Sequence, residues 1–300
     1  MSAKCDLCGC PDYEVVWNKA EREKQGKLRS VVIRKDGEII QGRNVMCRRC
    51  GLVYVWPRMS KTELDRFYAE DYRKIYGGGH SMEAEKRHAR TAFNVLIGIP
   101  EKCDSFLDIG CSTGELVSLM DDTVLAHCNG IEPNTEHADI AKHKGLQVEN
   151  CTIEDYNPGF KFDIITMLNA LEHVISPTEV MQRIHQLLNN GGYVLICVPN
   201  LYNRTIHIPV DAFLSNAHLY NFSLDALTAL FQKCGFEAVK TMQVTEEMGD
   251  KIYLLGRKAD QSKESSLTIT PEHIEATKSH LEAADWVYSW KEKILQMGFK

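Results

Sequence analysis

From about residue 100 onward, short apolar runs alternate with longer amphipathic ones. The apolar runs fall at 105–109, 127–132, 162–168, 192–198, 235–244 and 251–257, and each is short enough to be a strand. Segments with apolar residues three and four apart predict helices over 114–121, 135–143, 177–188 and 223–234. Strand and helix alternate, so the expected architecture is α/β, a doubly wound and mostly parallel sheet. The last two strands have no helix between them and predict an antiparallel hairpin at one edge. Before this repeat, Ser60 and Glu63 have capping-box spacing, so a helix is expected to start there. Leu64, Tyr68 and Tyr72 share one face of it, and Gly77-Gly78-Gly79 breaks it. A second helix is expected over about 81–97. Thr270-Pro271 opens a final amphipathic helix whose apolar face carries Ile274, Leu281, Ala284 and Trp290.

The first 58 residues follow a different pattern, organised by Cys5-x-x-Cys8 and Cys47-x-x-Cys50. Each pair is followed by glycine, and VVIRKDGEIIQGRNVMC between them reads as strand, Asp-Gly turn, strand. Two such knuckles around a hairpin match a zinc ribbon, with Cys5, Cys8, Cys47 and Cys50 as ligands. Four thiolates close the coordination shell, so the expected zinc is structural. Cys10 is a spare thiol beside the site. The chain of 300 residues therefore divides into a zinc-ribbon module at 1–58, a helical lid or linker at 59–99, a nucleotide-binding domain at 100–258 with an insert at 201–223, and a linker with C-terminal helix at 259–300.

Charge changes the picture only locally. Residues 1–60 hold 12 Lys+Arg against 7 Asp+Glu, a net +5, so the rest carries −11 of the total −6. The acidic total argues against a general nucleic-acid binder, while the basic module keeps an RNA partner open. No apolar run approaches the ~18–20 residues of a membrane span. The first residues lack an apolar signal segment, and most of the 11 cysteines are scattered singly, so a reducing cytoplasm is expected.

The candidate chemistry centres on FLDIGCSTGELV, residues 106–117, which reads as strand, glycine turn and helix start. A dinucleotide turn needs G-x-G-x-x-G, but Ser112 and Glu115 occupy the second and third glycine positions. A P-loop lysine is absent as well. An adenosine without phosphates and with a cationic sulfur, S-adenosylmethionine (SAM), suits such a turn. Asp108 is placed to receive the methionine ammonium. Glu132, 18 residues after Gly114, is placed to accept from the ribose hydroxyls.

At this point the sequence resembles the class I SAM-dependent methyltransferases, through FLDIGCSTGELV, GIEPN, FDIITMLNALEHV, LLNNGGYVLICVPN and GFEAVK, in family order over roughly 100–257. The resemblance implies a seven-stranded Rossmann-like methyltransferase sheet with an antiparallel last strand. It implies cofactor contacts at Gly110, Ser112 and Gly114 of the turn, at Glu132 and Pro133, at Ile153 against the adenine with Glu154 or Asp155 near its amino group, and at Leu168 and Asn169 on the methionine side. Tyr72 and Tyr76 would close over the cofactor, and Arg87 or Arg90 would pair with its carboxylate. The stretch CRRCGLVYVWPRMSKTELDRFYAEDY resembles the subgroup that carries an N-terminal zinc ribbon, whose members often act on sugars and other small metabolites.

The same resemblance puts the acceptor pocket at the insert LYNRTIHIPVDAFLSNAHLYNFS, where His207, His218 and Tyr220 are the acid/base candidates and His218 the first choice as base. His173, in Glu172-His173, is expected mainly to orient its loop and is a further catalytic candidate. The resulting expectation is methyl transfer to a small-molecule acceptor, a sugar or nucleotide-sugar hydroxyl or amine. The alternatives are an RNA methyltransferase gripping RNA with the basic ribbon, and a non-catalytic scaffold. The C-terminal helix is a candidate surface for its own domain, another partner or a homodimer.

Overall fold

A computed structural model describes residues 4–17, 33–35, 38–40, 43–58, 60–66, 82–99, 103–124, 126–202, 218–245, 250–259 and 269–296. The larger sheet contains β6 (Ser105–Ile109), β7 (His127–Ile131), β8 (Gln147–Glu149), β9 (Phe162–Leu168), β10 (Leu188–Pro199), β12 (Phe236–Val244) and β13 (Lys251–Lys258). Its order is β12-β13-β10-β9-β6-β7-β8. The five strands from β10 to β8 are parallel, and β13 lies antiparallel between β10 and β12. This is the doubly wound sheet the alternation predicts, with the expected hairpin at its edge.

Strands β6 and β10 are apolar because both faces are covered. One face packs with α5 (Pro177–Leu187) and α6 (Leu224–Lys233) around Ile165, Ile184, Leu227 and Phe231. The other packs with α2 (Met82–Leu96), α3 (Glu115–Asp121) and α4 (Thr135–His143) around Phe106, Leu116, Ala138 and Leu195. Ser176 caps α5 by accepting from the Glu179 amide, and Pro177 needs no N–H partner at the first helical position. Ser223 caps α6 through the Ala226 amide.

The sequence pattern misses β8. Only Val148 of its three residues is buried, an alternation too short to read in sequence. The pattern also misses β1 (Tyr13–Trp17) and β5 (Val53–Trp56), which flank β4 (Arg43–Cys47) in a second sheet. The hairpin between the knuckles holds β2 (Ile33–Lys35) and β3 (Glu38–Ile40), a pair separate from that sheet. The order of the second sheet is β1-β4-β5-β11, where β11 is Tyr220–Asn221. Tyr220 pairs with Tyr54 and Asn221 with Val53, so residues at the end of the 201–223 segment complete the sheet of the cysteine module.

Helix α1 (Lys61–Arg66) begins with the predicted box, in which the Ser60 amide donates to Glu63 Oε2 at 2.8 Å. The final helix, α7 (Pro271–Gln296), packs its first turns on its own chain. Ile274 and Leu281 join Met46, Val53 and Leu201, and Thr277 bonds Tyr202 Oη at 2.8 Å. Ala284 and Trp290 side chains lie outside the described residues. Among the described residues, no helix is long and apolar enough to cross a membrane.

Candidate functional site

The strand order reverses between β6 and β9, and the loops after their carboxyl ends form the crevice where open α/β sheets bind ligands. Asp108, Gly110, Ser112, Glu132, Asn169 and Asn200 all come from this edge.

Beyond β6 the backbone turns tightly, with φ +71° at Gly110, +49° at Ser112 and +81° at Gly114. The Gly110 and Cys111 amides donate to Ile131 O at 2.8 and 3.0 Å, which ties the turn to β7. Gly114 has a second reason to be glycine: a Cβ there would lie 2.4 Å from Leu146 Cδ1. Ser112 holds its left-handed conformation without that freedom, and its hydroxyl bonds Glu85 Oε1 at 3.2 Å and His137 Nδ1 at 3.1 Å. Thr113 Oγ1 donates to Glu85 Oε2, so the start of α2 leans on the turn.

Asp108 is buried at the end of β6, and its Oδ1 accepts from Thr166 Oγ1 at 2.6 Å. Burial pushes its carboxyl up to about 7, and the Glu132 carboxylate adds to the rise, while the Thr166 bond opposes it. Glu132 is also buried; Oε2 accepts from the Ser112 amide at 2.9 Å and Oε1 from the Asn134 amide at 2.8 Å. These bonds orient the carboxylate. Glu115 pairs with Lys144 Nζ at 2.7 Å, so the acidity of the turn comes chiefly from Asp108 and Glu132.

Asn150 Nδ2 donates to Glu132 O and Pro133 O and pins the loop after β7 to β8. Ile153 is buried in the main core, and Pro133, Glu154 and Asp155 are exposed beside it in sequence or across that loop. On the other side, Leu168 ends β9 partly buried, and Asn169 follows with φ +50°. The Asn169 amide donates to Cys197 O at 2.8 Å. Its side chain joins two groups the sequence pattern did not single out: Lys251 Nζ donates to Oδ1 at 2.7 Å, and His88 Nδ1 meets Nδ2 at 3.3 Å. His88 shares the buried face of α2 with Ala84 and Ala92, whereas Arg87 and Arg90 are exposed. The four-residue spacing of Ala84, His88 and Ala92 is the signal that could have found it. Tyr72, Tyr76 and His207 lie outside the described residues.

The short 3₁₀ turn Leu171–His173 follows Asn169. His173 and His218 meet edge to face with ring centroids 5.0 Å apart, and His173 Nε2 is 3.8 Å from Glu172 Oε1. Sequence separation of 45 residues is thus erased in the fold, and the two imidazoles lie together with a carboxylate. Tyr220 has another place. It is buried, its hydroxyl donates to Ile175 O at 2.8 Å and contacts the Arg58 guanidinium, and burial drives its phenol above the usual range. That geometry braces the loop carrying His173 and engages the hydroxyl within the protein.

Cys5, Cys8, Cys47 and Cys50 converge with all four sulfurs within 4.8 Å of one another. Cys5–Cys50 and Cys8–Cys47 are each 3.5 Å apart, near the edge of about 3.8 Å expected for a tetrahedron with metal–sulfur bonds of about 2.3 Å. The two knuckles repeat one geometry: the Gly9 amide donates to Cys5 O at 2.8 Å and the Gly51 amide to Cys47 O at 2.9 Å. Hydrogen bonds led by Cys5 hold Cys47 far below the usual thiol range, and Cys47 in turn drives Cys50 far above it. The first knuckle also reaches the larger sheet. Asp6 Oδ1 accepts from Ser176 Oγ at 2.6 Å and Oδ2 from the Thr178 amide at 2.9 Å, at the start of α5.

Comparison with known proteins agrees with this arrangement. A family described as a methyltransferase domain matches residues 80–241, more than half of the chain. A ubiquinone biosynthesis O-methyltransferase of Actinobacillus pleuropneumoniae serotype 7 is 35% identical over 112 residues, covering 33% of this chain and 46% of that protein. The protein of the same name from Shewanella pealeana is 28% identical over 122 residues, covering 38% of this chain and 50% of that one. The chain spans about half the length of these curated relatives. Among solved structures, magnesium protoporphyrin IX methyltransferase of Synechocystis PCC 6803 with bound SAM superposes with TM-score 0.51 at 13% identity, covering 68% of this chain and 99% of that one. The 1,6-didemethyltoxoflavin-N1-methyltransferase of Burkholderia thailandensis, with bound 1,6-didemethyltoxoflavin and S-adenosylhomocysteine, gives 0.54 at 18% identity, covering 74% of this chain and 99% of that one. These structures share the fold, and the family match spans the acidic turn itself: the chain belongs to the methyltransferase-domain family.

Proposed function

We propose that this protein is a SAM-dependent methyltransferase that methylates a hydroxyl of a small molecule. The observation that carries this reading is the pair of buried carboxylates, Asp108 and Glu132, around a tight glycine turn at the switch point of the sheet. When bound, SAM supplies an electrophilic methyl group on a positively charged sulfur. Asp108 is placed to hold its ammonium, Glu132 its ribose hydroxyls and Ile153 its adenine. Gly110, Ser112 and Gly114 let the backbone approach, and Leu168 and Asn169 border the methionine side.

The acceptor reaches the wall of His173 and His218, which we assign to deprotonating the hydroxyl and aligning it for in-line displacement. The hydroxyl reading is favoured over the amine because the curated relatives are named O-methyltransferases. Those relatives act in ubiquinone biosynthesis by name, and they lend no support to the sugar or nucleotide-sugar acceptor expected from the sequence. The four cysteines fit a structural zinc ion, which would make this a member of the zinc-ribbon subgroup.

Three measurements test the reading. SAM should bind the purified protein in calorimetry; its failure to bind would favour a non-catalytic scaffold. Labelled SAM incubated with fractionated extract should label a small molecule, and label lost on nuclease treatment would point to RNA instead. His218→Ala should lower turnover about a hundredfold or more with SAM affinity unchanged; unchanged turnover would remove His218 from the chemistry.

A further inference from the structure

Lys251 opens β13 at the carboxyl edge of the parallel strands, where it pairs with Pro199 of β10. By strand alternation its side chain shares the face of Tyr253, which packs toward α2, and the residue is only 6% exposed. An ammonium carries three donors. One goes to Asn169 Oδ1 at 2.7 Å, a neutral acceptor, and among the described residues no carboxylate, that of the adjacent Asp250 included, forms an ion pair with Lys251. A buried charge held only by a neutral amide is costly. The amide itself is fixed. Lys251 can only donate, so Asn169 turns Oδ1 to it and Nδ2 to His88 Nδ1 at 3.3 Å, while the Asn169 backbone amide donates to Cys197 O at 2.8 Å. A positive charge is thus set in place at the ligand-binding edge, and neither the cofactor contacts nor the two histidines use it.

We infer that Lys251, oriented by Asn169, binds a carboxylate of the acceptor, so that the substrate class is a hydroxy acid rather than a neutral alcohol. The inference rests on the methyltransferase reading and deepens it. One ammonium balances one negative charge, and its remaining N–H groups match the two oxygens of a carboxylate; a phosphate, nearer two charges, calls for more cations. SAM carries a carboxylate too, but the order of the sheet sets the two apart. Asp108 lies on β6, Glu132 follows β7 and Asn169 follows β9, so the proposed cofactor runs from β7 to β9 with its methionine at the β9 end. Lys251 stands two strands further, past β10, and reaches back to Asn169 from the side away from the adenosine. An acceptor filling that half of the crevice has its carboxylate on Lys251 and its hydroxyl before the methyl group. Lys251 there determines specificity: it selects and orients the acceptor and takes no proton from it.

Benzoate and benzamide, nearly equal in shape and different in charge, test this by ligand-observed NMR titration of protein saturated with S-adenosylhomocysteine (SAH), the demethylated cofactor. Benzoate should bind the parent at least about tenfold more tightly than benzamide, the gain of a charge-assisted bond. Lys251→Met should abolish that preference and leave SAH affinity, measured by calorimetry, unchanged. Labelled SAM incubated with a small-molecule extract should give a product that an anion exchanger retains, since methylation of the hydroxyl leaves the carboxylate free. No preference for benzoate in the parent, or a labelled product that passes the exchanger uncharged, overturns the inference; both results come from the parent protein and stand even if Lys251→Met fails to fold. SAH affinity lost in Lys251→Met, with no benzoate preference in the parent, would put the cofactor's own carboxylate on Lys251 and overturns it as well. Failure of SAH to bind the parent refutes the methyltransferase reading itself.

Discussion

Asp108 makes a prediction that joins stability, pH and cofactor binding. Its carboxyl titrates near 7 in the ligand-free protein, chiefly because burial penalises the charge. A SAM ammonium beside it requires the ionised form. Well below 7 most molecules must release a proton on binding, so affinity should fall about tenfold for each pH unit lost between 6.5 and 5.5. Calorimetry at pH 6 in buffers of different ionisation enthalpy should register close to one proton released per SAM. Asp108→Asn keeps the shape and a partner for Thr166 but removes the charge. A charge-assisted bond contributes about 1.5–3 kcal/mol, so SAM should bind roughly ten- to a hundredfold more weakly, and the pH slope should vanish.

Stability runs the other way. The folded carboxyl titrates above its ordinary 3.8, so the folded protein holds a proton that the unfolded chain has lost. The ligand-free protein therefore loses stability as pH rises from about 4 to 7, by an amount on the order of a few kcal/mol. Asp108→Asn escapes that penalty and should melt higher than the parent at pH 8 without SAM. A pH-independent affinity in the parent, or a slope retained in Asp108→Asn, would refute the reasoning.

Gly114→Ala should destabilise the fold by roughly 1–3 kcal/mol, because its Cβ meets Leu146 and its φ stays left-handed. Adding Leu146→Ala relieves the clash but not the backbone strain, so the double variant should lose less stability than the sum of the two single variants yet stay below the parent; thermal unfolding reads this. Asp6→Ala removes the contacts with Ser176 and Thr178 and should cost about 1–2 kcal/mol. Turnover should fall more than SAM affinity, since the start of α5 follows the His173 turn. Cys50→Ser should speed hydrogen exchange at Leu219–Phe222, because β5 pairs with β11; unaltered exchange there would show that the cysteine module does not support the His218 segment.

The sequence alone determined the doubly wound sheet, since strands buried on both faces are apolar runs and the helices between them repeat apolar residues three and four apart. It also determined the four-cysteine site and the acidic turn, because residue types in fixed local spacing carry that chemistry. Asp108 and Glu132 were legible as the ends of two strands. Their surroundings were not: Thr166, His88 and Lys251 come from other elements, and no local pattern marks which side chains will meet. β8 was illegible for want of residues, and β5 because only its pairing with Tyr220–Asn221 shows that the cysteine module and the 218–223 segment share a sheet. Tyr220 shows the limit most directly. In sequence it stands beside His218 as a second acid/base candidate, while pairing with Tyr54 in the second sheet carries it into the core against Ile175 O, and His218, just before that strand, meets His173 and Glu172. Local spacing specifies elements and ligand sets, but contact across 45 residues is decided by how the sheets pack.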